Sequence, residues 1–101
     1  MQRFTIVVEY LAIQDIQDII DYYNKQQHGL GKRYYASIND AFDVLTINPF
    51  FKIYKKNIRS KTLKPFPFSI FFAVNEDTRT VNRYAVLHQA INPEKINKRF
   101  E

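Results

Sequence analysis

The sequence predicts an α+β fold: an N-terminal strand, an antiparallel helical hairpin, then a three-stranded antiparallel meander completing one sheet, with room for a short C-terminal helix. Three observations predict it. Apolar residues recur at three- and four-residue spacing from Ala12 to Leu45, the period of an amphipathic helix, whereas from Ile53 onward they fall in short strand-like runs. Both glycines of the chain, Gly29 and Gly31, sit within the helical stretch and divide it. With 101 residues, 46% of them hydrophobic, the chain suits one domain over residues 1–101 with a single core.

The first element is "FTIVVE", Phe4 to Glu9, short, β-branched and apolar as a buried strand requires. Ala12, Ile13, Ile16, Ile19, Ile20 and Tyr23 then form one stripe of a helix, with Asp15, Asp18 and Asp21 on the other side. That helix ends near His28-Gly29, because glycine takes the left-handed conformation without a steric cost. Leu30, Tyr34, Ile38, Ala41, Phe42 and Leu45 give a second helix its apolar stripe, and Asn48-Pro49 closes it, since proline disfavours helical geometry in the residue before it. So short a turn makes the two helices antiparallel. Tyr34, Ile38, Phe42 and Leu45 are expected to face the sheet together with Ile16 and Ile20.

"IYKKNIRS", "FSIFFAV" and "TVNRYAVLH" read as three strands, and Asn75-Glu76-Asp77-Thr78 supplies the turn between the last two. Pro65 and Pro67 cannot donate to a ladder, so pairing of the middle strand should start only after Pro67. "INPEKINKRF" suits a short helix with Pro93 in its first turn.

Charge is divided along the chain. Residues 1–43 carry four Lys/Arg against six Asp/Glu, whereas residues 44–101 carry eleven against four. No acidic residue falls between Asp43 and Glu76, where Lys52, Lys55, Lys56, Arg59, Lys61 and Lys64 lie. Such a field attracts polyanions or an acidic protein segment, and it also guards a sheet edge. The chain has no cysteine, which excludes a disulfide framework, a thiolate nucleophile and a zinc-thiolate site. The start "MQRFTIVVEYLAIQDI" has no signal-peptide pattern and no apolar run is long enough to span a membrane, so a cytoplasmic protein without a membrane partner is expected.

"AIQDIQDIIDYYNKQQHGLGKRYYASI", the "NP" after the second helix, "RSKTLKPFPFSIFFAV" and "AVLHQAINPEK" occur in that order across nearly the whole chain. Together they resemble the RelE/ParE superfamily, the toxins of type II toxin-antitoxin systems, and in particular its ParE-like, plasmid stabilization members. The resemblance implies a cognate antitoxin as partner and one of two targets: DNA gyrase for a ParE-like inhibitor, or the ribosome with its mRNA for a RelE-like endonuclease. A degenerate toxin that only binds its antitoxin is the third form. One position departs from the pattern His-x-x-Arg-x-Pro. Here the string is His88-Gln89-Ala90-Ile91-Asn92-Pro93, with Ile91 where the family pattern has an arginine, which the resemblance implies is among the basic residues that stabilise charge on the cleaved phosphate in RelE-like members. Losing such a cation costs a nuclease on the order of several kcal/mol of transition-state stabilisation.

A nuclease built without that arginine would need His88 or Tyr84 as acid and base, and Arg59, Lys61, Arg83 or Lys98 as cations. Against this stands the simpler reading of His88 as a strand-end residue, and Ile91 tilts the expectation toward gyrase inhibition without catalysis. The expected antitoxin- or target-binding residues are Lys55, Arg59, Lys61, Lys64, Phe66 and Phe68. Asp15, Asp18 and Asp21 read as a solvated acidic face, His28 as part of a helix-ending turn, and neither a metal nor a cofactor is called for.

Overall fold

The computed structural model describes residues 3–91 and 93–100. Strand β1 (Thr5–Val8) leads into helix α1 (Tyr10–Gln26) and helix α2 (Leu30–Ile47). Strands β2 (Ile53–Lys55), β3 (Ile58–Thr62), β4 (Phe68–Asn75) and β5 (Thr80–His88) follow, and helix α3 (Pro93–Lys98) comes last. One five-stranded sheet has the order β1-β5-β4-β3-β2. The meander is antiparallel throughout, while β1 joins it by lying parallel to β5, Thr5 opposite Thr80 and Val8 opposite Arg83.

The α+β order holds, with one more strand than the sequence suggested. "IYKKNIRS" folds back on itself as β2 and β3, with Ile53 opposite Arg59 and Lys55 opposite Ile58. The reversal is placed on Lys56, a non-glycine residue at φ 52°, and Asn57. β4 starts directly after Pro67, and the β4–β5 turn is fastened by Thr78 N–H on Asn75 Oδ1 at 3.1 Å.

Between the helices Gly29 takes φ 84° and caps the start of α2. Gly31 has a different reason to be glycine: a Cβ there would fall 2.7 Å from the Ile20 carbonyl oxygen, so the helices can meet this closely only without one. Its N–H donates to Asn24 Oδ1 at 3.0 Å, which ties α2 to α1.

The hairpin covers one face of the sheet, and α3 with the residues around it covers part of the other. On the hairpin face Tyr34, Ile38, Leu45, Ile70, Phe72, Val81 and Val86 are buried in one cluster with Ile16. Phe42 and Ile20 only flank this cluster, and Ile13 points to solvent. On the α3 face Ile58, Phe71, Ala73, Ala85 and Ile96 form a second, smaller cluster.

Tyr34 is fully buried and its hydroxyl has no hydrogen-bond partner among the described residues. A buried hydroxyl left unpaired costs about 1–3 kcal/mol, so Tyr34→Phe should raise stability by roughly 1 kcal/mol, or about 4–8 °C in Tm. Burial first, then Tyr23 and Asp15, raise its ionisation above the usual 10.0. The folded chain therefore holds this proton while the unfolded one loses it. The stability is complete below pH 10 and is lost as pH rises beyond it, and the phenylalanine variant should lack that alkaline loss. Thermal melts at neutral and alkaline pH check both outcomes, and a lowered Tm at neutral pH would show that the hydroxyl is paired.

Candidate functional site

His88 ends β5 opposite Phe68 and rests its ring against the Phe68 ring at 5.1 Å, nearly edge-on. Its Nδ1 accepts the Ala90 N–H at 2.9 Å, and its carbonyl accepts the Ile91 N–H at 3.0 Å. Gln89 N–H donates to the Pro67 carbonyl at 2.9 Å. These bonds shape the turn that leaves the sheet. Ile91 is half-buried and packs against the α3-face cluster, so the position that departs from the family pattern is an apolar anchor.

Position along the strands spreads out Arg59, Lys61, Arg83 and His88, which share the hairpin face, and alternation puts Tyr84 on the other face. Arg59 and Arg83 lie opposite the same residue, Phe72, from its two sides, and Lys61 lies opposite Ile70. His88, opposite Phe68, stands four residues further along β4, roughly 13 Å from the Arg59–Arg83 rung. Tyr84 belongs to the α3-face cluster, on the other side of the sheet from Arg83. Lys98 is exposed on α3.

Arg59, Lys61 and Arg83 also have structural work. Arg59 donates from Nη1 to the Phe51 carbonyl at 2.7 Å and lies over the Phe50 ring, and Lys61 Nζ lies 4.8 Å from the Phe51 ring centre. Arg83 is only 3% exposed, with its guanidinium carbon 3.1 Å from the centre of the Phe42 ring. Its Nε and Nη1 have no partner among the described residues. Burial lowers its pKa to about 10 in spite of the opposing influence of Tyr34 and Tyr35. It is a core cation packed under α2, not one aimed at a surface cleft.

The six expected binding residues divide as well. Lys55 is exposed on the outer strand β2. Lys61 and Lys64 line a groove of about 380 Å³ between β3 and α2, opposite Ser37, Asp40 and Val44. Arg59 is half-buried on β3. Phe66 and Phe68 correct the expectation. At 8% and 7% exposure they are core residues, held by Tyr23 and Tyr34 at ring separations of 5.1–6.2 Å, and present no surface to a partner.

Asp15 also departs from its expected place. Its carboxylate accepts two bonds from Arg99, Nη1 to Oδ1 at 3.1 Å and Nη2 to Oδ2 at 2.9 Å, and a third from the Val86 N–H at 3.0 Å. Arg99 Nη2 also reaches the Tyr84 carbonyl at 3.2 Å. β1 stops at Val8, and beyond it these two side chains occupy backbone groups of β5 that a longer β1 would have paired. Asp18 and Asp21 stay exposed, and no metal-ligating group of three appears among the described residues. His28 is exposed in the interhelical turn. No helix is long and apolar enough to cross a membrane among the described residues.

The family model described as ParE toxin of type II toxin-antitoxin system, parDE, matches residues 6–93. Among solved structures, a chain of the chromosomal ParDE TA system from P. aeruginosa superposes with a TM-score of 0.73, covering 84% of this chain and 95% of that one. At 18% sequence identity this is a likeness of fold. No curated protein sequence matches the chain.

Proposed function

Since this chain belongs to the ParE toxin family of type II toxin-antitoxin systems, we propose that it acts by binding: it inhibits DNA gyrase in the cytoplasm and is neutralised by a cognate antitoxin. The observation that carries this reading is Ile91. An isoleucine packed into an apolar cluster supplies no charge to a cleaved phosphate, and the other candidates lie on two faces of the sheet or in its core. Gyrase inhibition needs a surface and no catalytic set.

The α2–β3 groove suits the antitoxin. Lys61 and Lys64 stand on one wall, and Val44, Ile47 and Phe50 leave apolar surface exposed along α2 and just beyond it. A segment that is disordered when free and carries acidic and apolar residues alternately would fold against such a surface. Its contacts with Lys61 and Lys64 would weaken with salt, because exposed charge pairs are screened.

Purified protein should inhibit supercoiling by gyrase or stabilise cleaved gyrase–DNA complexes, relieved by the product of an adjoining antitoxin frame. Messenger RNA on translating ribosomes should stay intact. Ribosome-dependent cleavage that disappears in a folded His88→Ala variant would overturn the proposal in favour of an endonuclease. Antitoxin binding with neither activity would identify a toxin that has decayed.

A further inference from the structure

We propose that α3 and the β2–β3 turn together form a binding surface for the phosphate backbone of a nucleic acid, separate from the α2–β3 groove. Lys55 and Lys56 come from the turn, Lys95 and Lys98 from α3, and all four are exposed. The fold brings these distant segments into contact. Tyr54 donates its hydroxyl to Asn97 Oδ1 at 3.4 Å, and Lys55, Lys56, Asn97 and Phe100 line one shallow cleft of about 60 Å³.

The base beneath the lysines is firm. Ile96 is buried, and Phe100 packs on Phe71 at 5.7 Å and on Tyr84 at 6.3 Å between ring centres. Arg99, next to Phe100, is fixed on Asp15. None of the four lysines joins an ion pair among the described residues, and Glu94 is the one carboxylate in α3. Glu76 and Asp77 line a different depression, with Asn57 and Tyr84.

Chemistry favours phosphate over protein. Two lysines, an asparagine and one phenylalanine line the cleft, which offers cations to phosphate oxygens and lacks the apolar lining that seats the aromatic or leucine anchor of a protein interface. Lysines act as flexible point charges, and no pocket here reads a base edge, so binding should be independent of sequence.

Fluorescence anisotropy of the full chain with a short labelled DNA duplex, and in a second arm an RNA hairpin, tests this across a salt series. The two arms tell which nucleic acid supplies the phosphates. Binding to at least one is expected, weakening with salt by about 0.9 logarithmic units of affinity per unit of log salt for each duplex-DNA phosphate contacted. Alanine at Lys55, Lys56, Lys95 and Lys98 together should lower affinity at least roughly tenfold and flatten that slope by about 3. Arginine at the same positions should keep both. Alanine at Lys61 and Lys64, in the groove, should leave the slope as it is. The proposal is overturned by binding to neither nucleic acid, by an unchanged slope in the four-alanine variant, or by an equal per-lysine loss from the groove variant, which would mean net charge alone. No gyrase is present in the assay, so its failure leaves the gyrase reading standing.

Discussion

Replacing Phe72 by alanine is expected to lower stability by about 3–5 kcal/mol, the range for a buried phenylalanine whose surroundings cannot collapse into the space. Phe72 is fully buried in β4, the central strand of the sheet, with Arg59 and Arg83 on the neighbouring strands directly opposite it. Against a total stability of roughly 5–15 kcal/mol, this would unfold a large part of the population. Thermal or urea melts should show Tm falling by at least roughly 12 °C. Phe42→Ala is the control. Phe42 is half-buried and covers the guanidinium of Arg83, whose burial is itself unfavourable. Removing the ring loses packing but lets water reach the cation, so the net cost should stay below about 2 kcal/mol. Equal losses from the two variants would mean that the core is centred on α2 and not on β4.

Asp15→Ala should cost about 2–4 kcal/mol. A surface ion pair contributes about 0–1 kcal/mol, and breaking a fully buried one costs about 3–5. The Asp15 and Arg99 side chains, 17% and 21% exposed, lie nearer the buried case, and the substitution also leaves the Val86 N–H without its acceptor. The loss should be visible locally as well as globally. Amide exchange at Val86 should speed up, and the segment after Ile91 should become a site of limited proteolysis. In a double-mutant cycle with Arg99→Ala, the two single losses should exceed the combined one, since the groups serve each other. A variant within about 0.5 kcal/mol of the parent, with Val86 still protected, would show that α3 is held by Ile96 and Phe100 alone.

The helical hairpin was legible because its signals are local. The stripe from Ile16 to Leu45, the paired glycines and Asn48-Pro49 each act within a few residues, and α1 ends, and α2 begins and ends, close to where they indicate. The β2–β3 reversal was not, because it turns on Lys56-Asn57 and has none of the glycine that marks most tight hairpins. Asp15 was misplaced for a different reason. Its partner is 84 positions away and no periodicity reaches that far, although its place beside Ala12 and Ile16, at the margin of the apolar stripe, was a hint. Phe66 and Phe68 show the limit of composition: aromatics beside lysines look like a docking surface until the fold turns them inward. Lys95 and Lys98 gain a reading only from the packing of α3 near the β2–β3 turn.

Thr5 finds its partner in Thr80 and Val8 finds its partner in Arg83, so the sheet closes across a loop of roughly 75 residues. A ribosome must deliver β5 before β1 has anything to pair with, and at roughly 5–20 residues per second that takes about 4–16 s. Until then the α1–α2 hairpin and the β2–β3–β4 ladder are the units that can form, without the strand that joins β1 to the sheet. Partner strands so distant in sequence make folding slow relative to a helical domain of the same size. A newly translated chain therefore passes through an interval in which it has no finished surface to offer a target. An antitoxin already present in the cell would meet the hairpin first and the completed sheet only afterwards.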